Sequence, residues 1–238
     1  HPKAYVPRGK RNPVSDPDEI YRETGKLAYC IAKAKQRTSK EDFAIFEAYN
    51  DNMVIDGLAK TTRHRDLTSF LLLTKMISCK WKDIDEVHCK KIVAKIMTNH
   101  SKNGQETGYT SGLKKNLKAI VRFIHTGNRN LVKHKPELEM LQFMVINKPA
   151  ESLTREDLPT DAELSKLLAV CSSHSRDKAM IAVHQEAGTR IGELLKMNIK
   201  NFVIDKYGGM IKVSGKTGIR SIRIVTSVHY LSRWINDH

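Results

Sequence analysis

The residues best suited to chemistry lie in the stretch HQEAGTRIGELLKMNIKNF, residues 184–202. Arg190 stands at the start of a predicted helix, and Glu193 follows it by one turn. A helix N-terminus presents free N–H groups and a partial positive charge, so an arginine beside it can bind an anion such as phosphate. The alternative is an ordinary ion pair of Arg190 with Glu193 or Glu186, and spacing alone does not decide between them. The apolar face predicted for this helix consists of Ile191, Leu194, Leu195 and Ile199.

A second group of basic residues follows on a predicted hairpin. Lys216 lies within VSGKTGIRSIRI, residues 213–224, and Arg220 and Arg223 come next on the return strand. A lysine held on a turn can reach a phosphodiester from the side, although lysine is also common at exposed hairpin tips. The GKT tripeptide is not the phosphate-binding loop of nucleotide hydrolases, because that loop needs a glycine where Met210 stands and leads into a helix.

Length and charge indicate a polyanionic partner. The 238 residues are enough for one large or two ordinary domains, each with its own core. Lys and Arg number 41 against 26 Asp and Glu, which leaves a net charge of +15. The calculated pI is about 9.7, and the excess charge lies mostly before residue 151. A pI above 9 is typical of nucleic-acid-binding domains, and a basic soluble protein without such a partner is the alternative.

Cysteine spacing and hydropathy indicate which kinds of protein the sequence does not resemble. The four cysteines are widely spaced, without a Cys-x-x-Cys pair, so we expect free thiols in a reducing compartment and neither disulfides nor a zinc ribbon. Cys171 and His174 have ligand-like spacing, but a single pair does not make a metal site, and we expect no metal or cofactor. No apolar run approaches a membrane span, which favours a cytoplasmic, nucleoid-associated protein that makes no membrane contact.

The chain reads as a mainly α protein with a small antiparallel β-sheet. Apolar residues recur at helical spacing in four segments of the N-terminal half, whereas FVID, GMIKVSG and IRSIRIV near the C-terminus alternate as strands of a three-stranded meander. Ser39 is the predicted N-cap of the first of the four helices and Gly57 its stop, and Thr160 with Glu163 forms a capping box. The predicted organisation is a basic arm with a possible first helix (1–38), a helical domain (39–146), a linker (147–159) and a partial α+β domain (160–238).

Two basic groups in the helical domain are candidates for duplex contacts. In TSGLKKNLKAIVRFI, residues 110–124, the basic residues are predicted on the side opposite the apolar face, where they can grip phosphates. Another cluster stands at the start of the helix TTRHRDLTSFLLL. Since only 6% of residues are aromatic and they do not alternate with basic residues, duplex binding is favoured over single-strand stacking. A solvated helix face is the alternative. The candidates are Lys114, Lys115, Lys118 and Arg122, together with Thr62, Arg63 and Arg65.

The run AGTRIGELLKMNIKNF, followed by IKVSGKTGIRSIRIV, closely resembles the first catalytic boxes of the tyrosine recombinases, the family of lambda integrase and the Xer recombinases. The resemblance implies that Arg190 is the first catalytic arginine, that Lys216 on the following hairpin is the second catalytic group, and that Glu193 supports them. Gly188 also matches the box, whereas Ala187 stands where threonine is common. The helices before residue 147 resemble the core-binding domain of the same family.

The chemistry that this resemblance implies is DNA strand cleavage without nucleotide or metal. A tyrosine attacks the phosphodiester, forms a 3′-phosphotyrosyl link and frees a 5′-hydroxyl. Arg190 would stabilise charge on the non-bridging oxygens in the transition state, and Lys216 would donate a proton to the departing oxygen. The partner is double-stranded DNA, and the active form would be a DNA-bound tetramer.

Two parts of the family pattern have no match in the 238 residues. No His-x-x-Arg sequence occurs, and Tyr230 follows Lys216 too closely to serve as the nucleophile. Its apolar helical context favours a packed or interfacial tyrosine. We therefore expect an N-terminal portion of a recombinase that binds DNA without cleaving it and is a monomer off DNA. The alternative is a non-catalytic DNA-binding protein that retains the integrase scaffold for repression or architecture.

Overall fold

The computed structural model describes residues 22–131, 135–147, 154–215 and 218–237. The chain divides between Glu151 and Ser152 into two compact units, here called the N-terminal and C-terminal units. The predicted basic arm up to residue 21 lies outside the described residues. The rest of that segment is largely helical, as helix α1 begins at Glu23. No helix in the described ranges is long and apolar enough to cross a membrane.

The described part of the N-terminal unit is all-helical. Ser39 caps the second helix, its side chain accepting from the Asp42 backbone N–H at 3.1 Å, and the helix ends just before Asp56, with Gly57 at a positive φ of 68°. Thr107 and Thr110 form a capping box at the start of the fifth helix. The helices are α1 (Glu23–Arg37), α2 (Lys40–Ile55), α3 (Lys60–Thr74), α4 (Glu86–His100), α5 (Gly108–Thr126) and α6 (Glu139–Gln142).

An aromatic cluster forms the centre of this unit. Phe46, Tyr49, Phe70 and Trp81 are fully buried, and the rings of Phe70 and Trp81 lie 4.9 Å apart. The Trp81 indole N–H donates to Thr74 Oγ1 at 2.9 Å, which satisfies its polar atom inside the core. Burying four large aromatic side chains, each worth about 1.5–3 kcal/mol, provides a stable core for the surrounding helices.

The C-terminal unit combines helices with a three-stranded antiparallel sheet in the order β1-β2-β3, which confirms the predicted mainly α fold with a small meander. Phe202 pairs with Ile211, and Val213 pairs with Arg220. Leu194, Ile211, Ile224 and Leu231 are among the core residues that join the sheet to the helices. The elements are α7 (Asp161–Val170), α8 (Ser175–Ala187), α9 (Ile191–Leu195), β1 (Phe202–Asp205), β2 (Gly208–Gly215), β3 (Gly218–Ile224) and α10 (Val228–Asp237).

The helix predicted after Gly188 is shorter than its apolar pattern suggested. It ends at Leu195, and residues Ile199–Asn201 form a separate 3-10 turn. Asn198 separates the two, because its backbone is extended (φ −104°, ψ 159°) and its N–H donates to Asn201 Oδ1 at 2.9 Å instead of continuing the helix. The predicted apolar face is wrong except at Leu194, which is buried; the others named for it, Ile191, Leu195 and Ile199, are exposed.

Candidate functional site

The local turn that presents Arg190 depends on a glycine. Helix α8 ends at Ala187, and Gly188 adopts φ 57° and ψ 31°, a left-handed conformation that glycine accommodates without a Cβ clash. Its N–H donates to the His184 carbonyl at 3.1 Å, which closes the end of the helix. The chain then reverses through buried Thr189, so that Arg190 occupies the N-cap position of α9.

Glu193 is the centre of the site. Its carboxylate, in a residue that is only 2% exposed, accepts four hydrogen bonds from two arginines. Arg220 donates from Nη1 to Oε1 at 2.9 Å and from Nη2 to Oε2 at 2.8 Å, a two-point contact. Arg190 donates from its backbone N–H at 3.0 Å and from Nη1 at 3.1 Å. These bonds, led by those from Arg220, lower the pKa of Glu193 from 4.5 to about 2, so the carboxylate is ionised at neutral pH.

The end of strand β2 lies directly against this carboxylate. A Cβ placed on Gly215 would come within 2.1 Å of Glu193 Oε1, so no residue larger than glycine fits without displacing the glutamate. Gly215 pairs with Gly218 at the start of β3. Lys216 follows Gly215 in the chain but lies outside the described residues, and its catalytic role stays a prediction.

The surroundings of Arg190 agree with both interpretations that its spacing left open, an ion pair and an anion-binding group. It forms the ion pair with Glu193, yet 61% of its side chain is exposed, so the guanidinium is both oriented and accessible. The expectation that free N–H groups of the helix contribute to the anion site stays a prediction. The N–H of Arg190 is used by Glu193, and α9 has only five residues. The group in this turn that is exposed and can bind an anion is the Arg190 guanidinium.

Arg220 and Arg223 cannot act together on one phosphate. Successive side chains of a strand point to opposite faces, and these two residues are an odd number apart on β3. Arg220 turns towards Glu193, whereas Arg223 donates from Nη1 to Asp205 Oδ1 at 2.5 Å on the other face. That contact lowers the pKa of Asp205. Both arginines already have carboxylate partners, and DNA contact by either stays a prediction.

Glu186 has a role that the sequence reasoning missed. Its carboxylate accepts backbone N–H groups from Val225 at 2.6 Å, Thr226 at 3.1 Å and Ser227 at 2.8 Å, together with the Ser227 hydroxyl at 2.6 Å. Burial would raise the pKa of Glu186, but the bonds from Ser227 and the backbone lower it to about 2. Glu186 therefore fixes the chain that leads into α10 and is not the partner of Arg190. The position of Glu186, two residues before a glycine that ends the helix, gave no signal of this distant contact.

The candidates at the start of α3 differ in accessibility. Arg65 is the most exposed, at 70% of its side chain, although it contacts buried Asp66 at 3.0 Å. Arg63 is partly buried and donates from Nη2 to Asn50 Oδ1 at 2.8 Å. Thr62, in the first turn of the helix, is half-buried. These three residues share one end of α3, and Arg65 is the best placed of them to reach a phosphate.

The open basic face predicted for α5 is wrong at three of its four positions. Lys114 is buried and lies 2.9 Å from Glu106 Oε1, in an ion pair inside the unit. Arg122 donates from Nε to Glu137 Oε1 at 2.8 Å, and Lys118 lies 3.5 Å from the same carboxylate. The reason is that segment 135–147 runs along this side of α5, where Glu137 pairs with Arg122 and Lys118 and the Asn147 carbonyl accepts from the Ser111 hydroxyl. Lys115 is the one of the four that is exposed.

Tyr230 lies on α10 of the C-terminal unit. Tyr230 is half-buried, with the Lys178 ammonium 5.3 Å from its ring centre and the His229 ring at 3.7 Å. This environment suits the packed tyrosine expected from the sequence. The cysteines are free thiols. Across the part of the chain that the structure describes, no group of three or more His, Cys, Asp or Glu side chains is arranged to hold a metal ion.

Fold and site together define a mainly helical protein whose C-terminal unit holds an exposed arginine against a buried carboxylate. No protein-family model matches the sequence, and no curated protein matches it. Solved structures of recombinases resemble the fold. XerH bound to palindromic difH substrate, in the post-cleavage complex, is 17% identical with a TM-score of 0.47, and the match covers 94% of this chain and 70% of that one.

Two further structures give lower values. The pre-cleavage complex of XerH with difH is 16% identical with a TM-score of 0.45, again over 94% and 70% of the two chains. XerA recombinase is 15% identical with a TM-score of 0.31, over 81% of this chain and 63% of that one. At these identities and scores the likeness carries no argument about function, which depends on the residues of the site.

Proposed function

We propose that this chain is the DNA-binding and partial catalytic portion of a tyrosine-type site-specific DNA recombinase, acting on nucleoid DNA in the cytoplasm. The observation that carries the proposal is the arrangement around Glu193. One buried carboxylate orients the exposed Arg190 and also ties down Arg220 on the hairpin, while resting on Gly215. The box GTRIGEL and the hairpin that follows it in sequence are thus joined at a single point.

The arrangement suits stabilisation of a phosphoryl transition state. Arg190 presents a guanidinium whose orientation is set in advance, so it can bind charge that develops on the non-bridging oxygens without reorganising. Glu193 positions that guanidinium. Lys216, one residue after Gly215 in the chain, is assigned the role of general acid. The mechanism uses no metal or cofactor.

DNA binding is assigned to both units. In the N-terminal unit, Arg65 and Lys115 are accessible now, and Thr62 and Arg63 lie beside Arg65 on α3. Five further candidates already pair with carboxylates, and each would have to give up its internal ion pair to contact a DNA phosphate. The paired residues are Lys114, Lys118, Arg122, Arg220 and Arg223. By family resemblance, four copies would assemble on DNA.

Because the 238 residues contain no His-x-x-Arg sequence and no suitable tyrosine, this chain binds DNA without cleaving it. The test uses duplexes that are first selected from a random library for binding to the chain. A nick is then introduced into each duplex near the preferred site during its preparation, so that any covalent protein–DNA intermediate cannot religate and accumulates. We expect salt-dependent binding and no covalent adduct on a denaturing gel. An adduct would contradict the absence of a nucleophile, and failure to bind any duplex would contradict the proposed function.

The role of Arg190 separates the recombinase from the alternative, a DNA-binding protein that retains the scaffold. A recombinase site contacts the phosphate to be cleaved, so Arg190→Ala should weaken binding to the selected duplex. If Arg190→Ala and Lys216→Ala both bind as the unchanged chain does, while Arg65→Ala binds poorly, the non-catalytic function is the correct one.

A further inference from the structure

Helix α1 carries a stripe of cations along one side. Three basic residues and one tyrosine recur at intervals of three, four and four residues, so on a helix of 3.6 residues per turn they share a face, and a further arginine precedes them as the N-cap. Tyr29 is 69% exposed, and the Lys33 ammonium lies 5.8 Å from its ring centre. Together these residues are called the α1 stripe: Arg22, Lys26, Tyr29, Lys33 and Arg37.

The stripe borders the side of α1 that packs into the N-terminal unit, and this packing holds it in place. Leu27, Cys30 and Ala34 are buried in the core of the N-terminal unit. Lys60 donates from Nζ to Thr24 Oγ1 at 3.1 Å, and Cys30 Sγ lies 3.8 Å from Thr68 Oγ1.

These two contacts give the orientation of α1 relative to α3. One contact joins Thr24, early in α1, to Lys60 at the start of α3. The other joins Cys30 to Thr68, each further along its own helix, so the two helices are parallel. The start of α1 therefore lies at the same end of the unit as the basic cluster of α3, in which Arg65 is exposed and Arg63 is partly buried.

The charge of the stripe has little internal compensation. Glu23 is the acidic residue of α1; it is buried and lies 3.7 Å from Lys26. Within the described residues, no ion pair joins Lys33 or Arg37 to a carboxylate. The helix spans about 22 Å at 1.5 Å per residue. A row of cations of this length, in which Lys26 is the one helical member that the described residues pair with a carboxylate, is complementary to a polymer with closely and regularly spaced negative charges.

We propose that the α1 stripe binds the phosphate backbone of duplex DNA, as a sequence-independent contact beside that of α3. A duplex carries one charge per about 1.7 Å of its axis, so several phosphates lie within reach of a stripe this long. A helix that lies on a membrane surface needs a bulky apolar face as well, and the exposed side of α1 offers Tyr29 alone. The inference rests on the DNA-binding part of the proposed function and not on its chemistry.

The test compares two triple variants of the full chain that lose the same charge. The stripe variant is Lys26→Gln, Lys33→Gln, Arg37→Gln. The control variant removes three exposed lysines away from the stripe: Lys35→Gln on another side of α1, with Lys91→Gln and Lys102→Gln. Glutamine has nearly the helix propensity of lysine and arginine, so both variants should fold, which far-UV circular dichroism would verify.

Affinity for a 30-base-pair duplex of arbitrary sequence is measured by fluorescence anisotropy over a series of salt concentrations. Each lost phosphate contact lowers the slope of log K against log salt by about 0.9, so the stripe variant should lose roughly 2–3 from the slope and bind at least about 10-fold more weakly at low salt. The control variant should change the slope by less than about 1. Between single variants, Lys33→Gln should weaken binding more than Lys35→Gln.

The outcomes separate this inference from the proposed function. Equal losses in the two triple variants would overturn the α1 stripe while leaving DNA binding by α3 intact. If the unchanged chain bound no duplex, the inference and the proposed DNA binding would both be wrong. Vesicles of neutral and anionic phospholipid provide the second arm. Should the stripe variant lose vesicle binding but keep its affinity for DNA, the partner would be a membrane and the inference would be contradicted.

Discussion

Gly215 and Glu193 are in direct contact, twenty-two residues apart in the chain. The glutamate carboxylate occupies the space where a side chain at position 215 would begin, 2.1 Å from an added Cβ. The same carboxylate holds Arg190 on one side and Arg220 on the other. Strand β2, the turn before α9 and strand β3 are therefore mutually positioned by one buried anion.

The first prediction concerns that contact. In Gly215→Ala the new methyl group displaces Glu193 and breaks its two-point contact with Arg220. Overpacking of this kind costs about 1–3 kcal/mol in the free energy of unfolding, measured by urea denaturation. Gly112→Ala is the control, because nothing lies within 4 Å of its added Cβ, and it should be neutral or stabilising. Equal stability of the two variants would show that the contact is unimportant.

The second prediction is a loss of stability in acid. The folded pKa of Glu193 and of Glu186 is about 2, below the ordinary value of 4.5. Between these values the unfolded chain binds more protons than the folded one, so both groups stabilise the fold above pH 4.5. That contribution falls as pH drops through the folded pKa. Melting temperatures from pH 6 to pH 2 should fall less steeply for Glu193→Gln and Glu186→Gln than for the unchanged chain.

The third prediction separates Arg190 from structural arginines. Because 61% of its side chain is exposed, Arg190→Ala should leave the helical signal intact and weaken DNA binding by several-fold, with the salt slope reduced by about 0.9. Arg176→Ala is the matched control in the same unit, since Arg176 is similarly exposed and pairs with its neighbour Asp177. Comparable losses of affinity in the two variants would contradict a specific phosphate contact by Arg190.

The fourth prediction tests the geometry of Arg220. Arg220→Lys keeps the charge but cannot make two parallel hydrogen bonds to Glu193, so the melting temperature should fall. Arg223→Lys changes the same residue type on the same strand, at an exposed pair with Asp205 whose contribution is about 0–1 kcal/mol. The melting temperature should drop clearly more for Arg220→Lys, and the reverse order would contradict a structural role for the two-point contact.

Local chemistry in the sequence determined a large part of the fold. Alternating β-branched residues predicted three strands, and Gly208 and Gly218 adopt positive φ next to the turns that separate them. Ser39 and Thr160 cap the helices that follow them, as their side chains and spacing predicted. These features depend on residues only a few positions apart, so their physical causes are contained within short stretches of chain.

Tertiary structure alone decided which charges are available. Lys118 and Arg122 have the spacing of an exposed basic face, yet both pair with Glu137 of segment 135–147. Lys114 on the same helix is buried against Glu106. Phosphate binding by Arg190 stays a prediction from the sequence, whereas the contact of its partner Glu193 with Arg220 on β3 joins residues 27 positions apart. Ion pairs of this kind arise from packing between elements, and the periodicity of one element contains no information about the charge that packing brings to its surface.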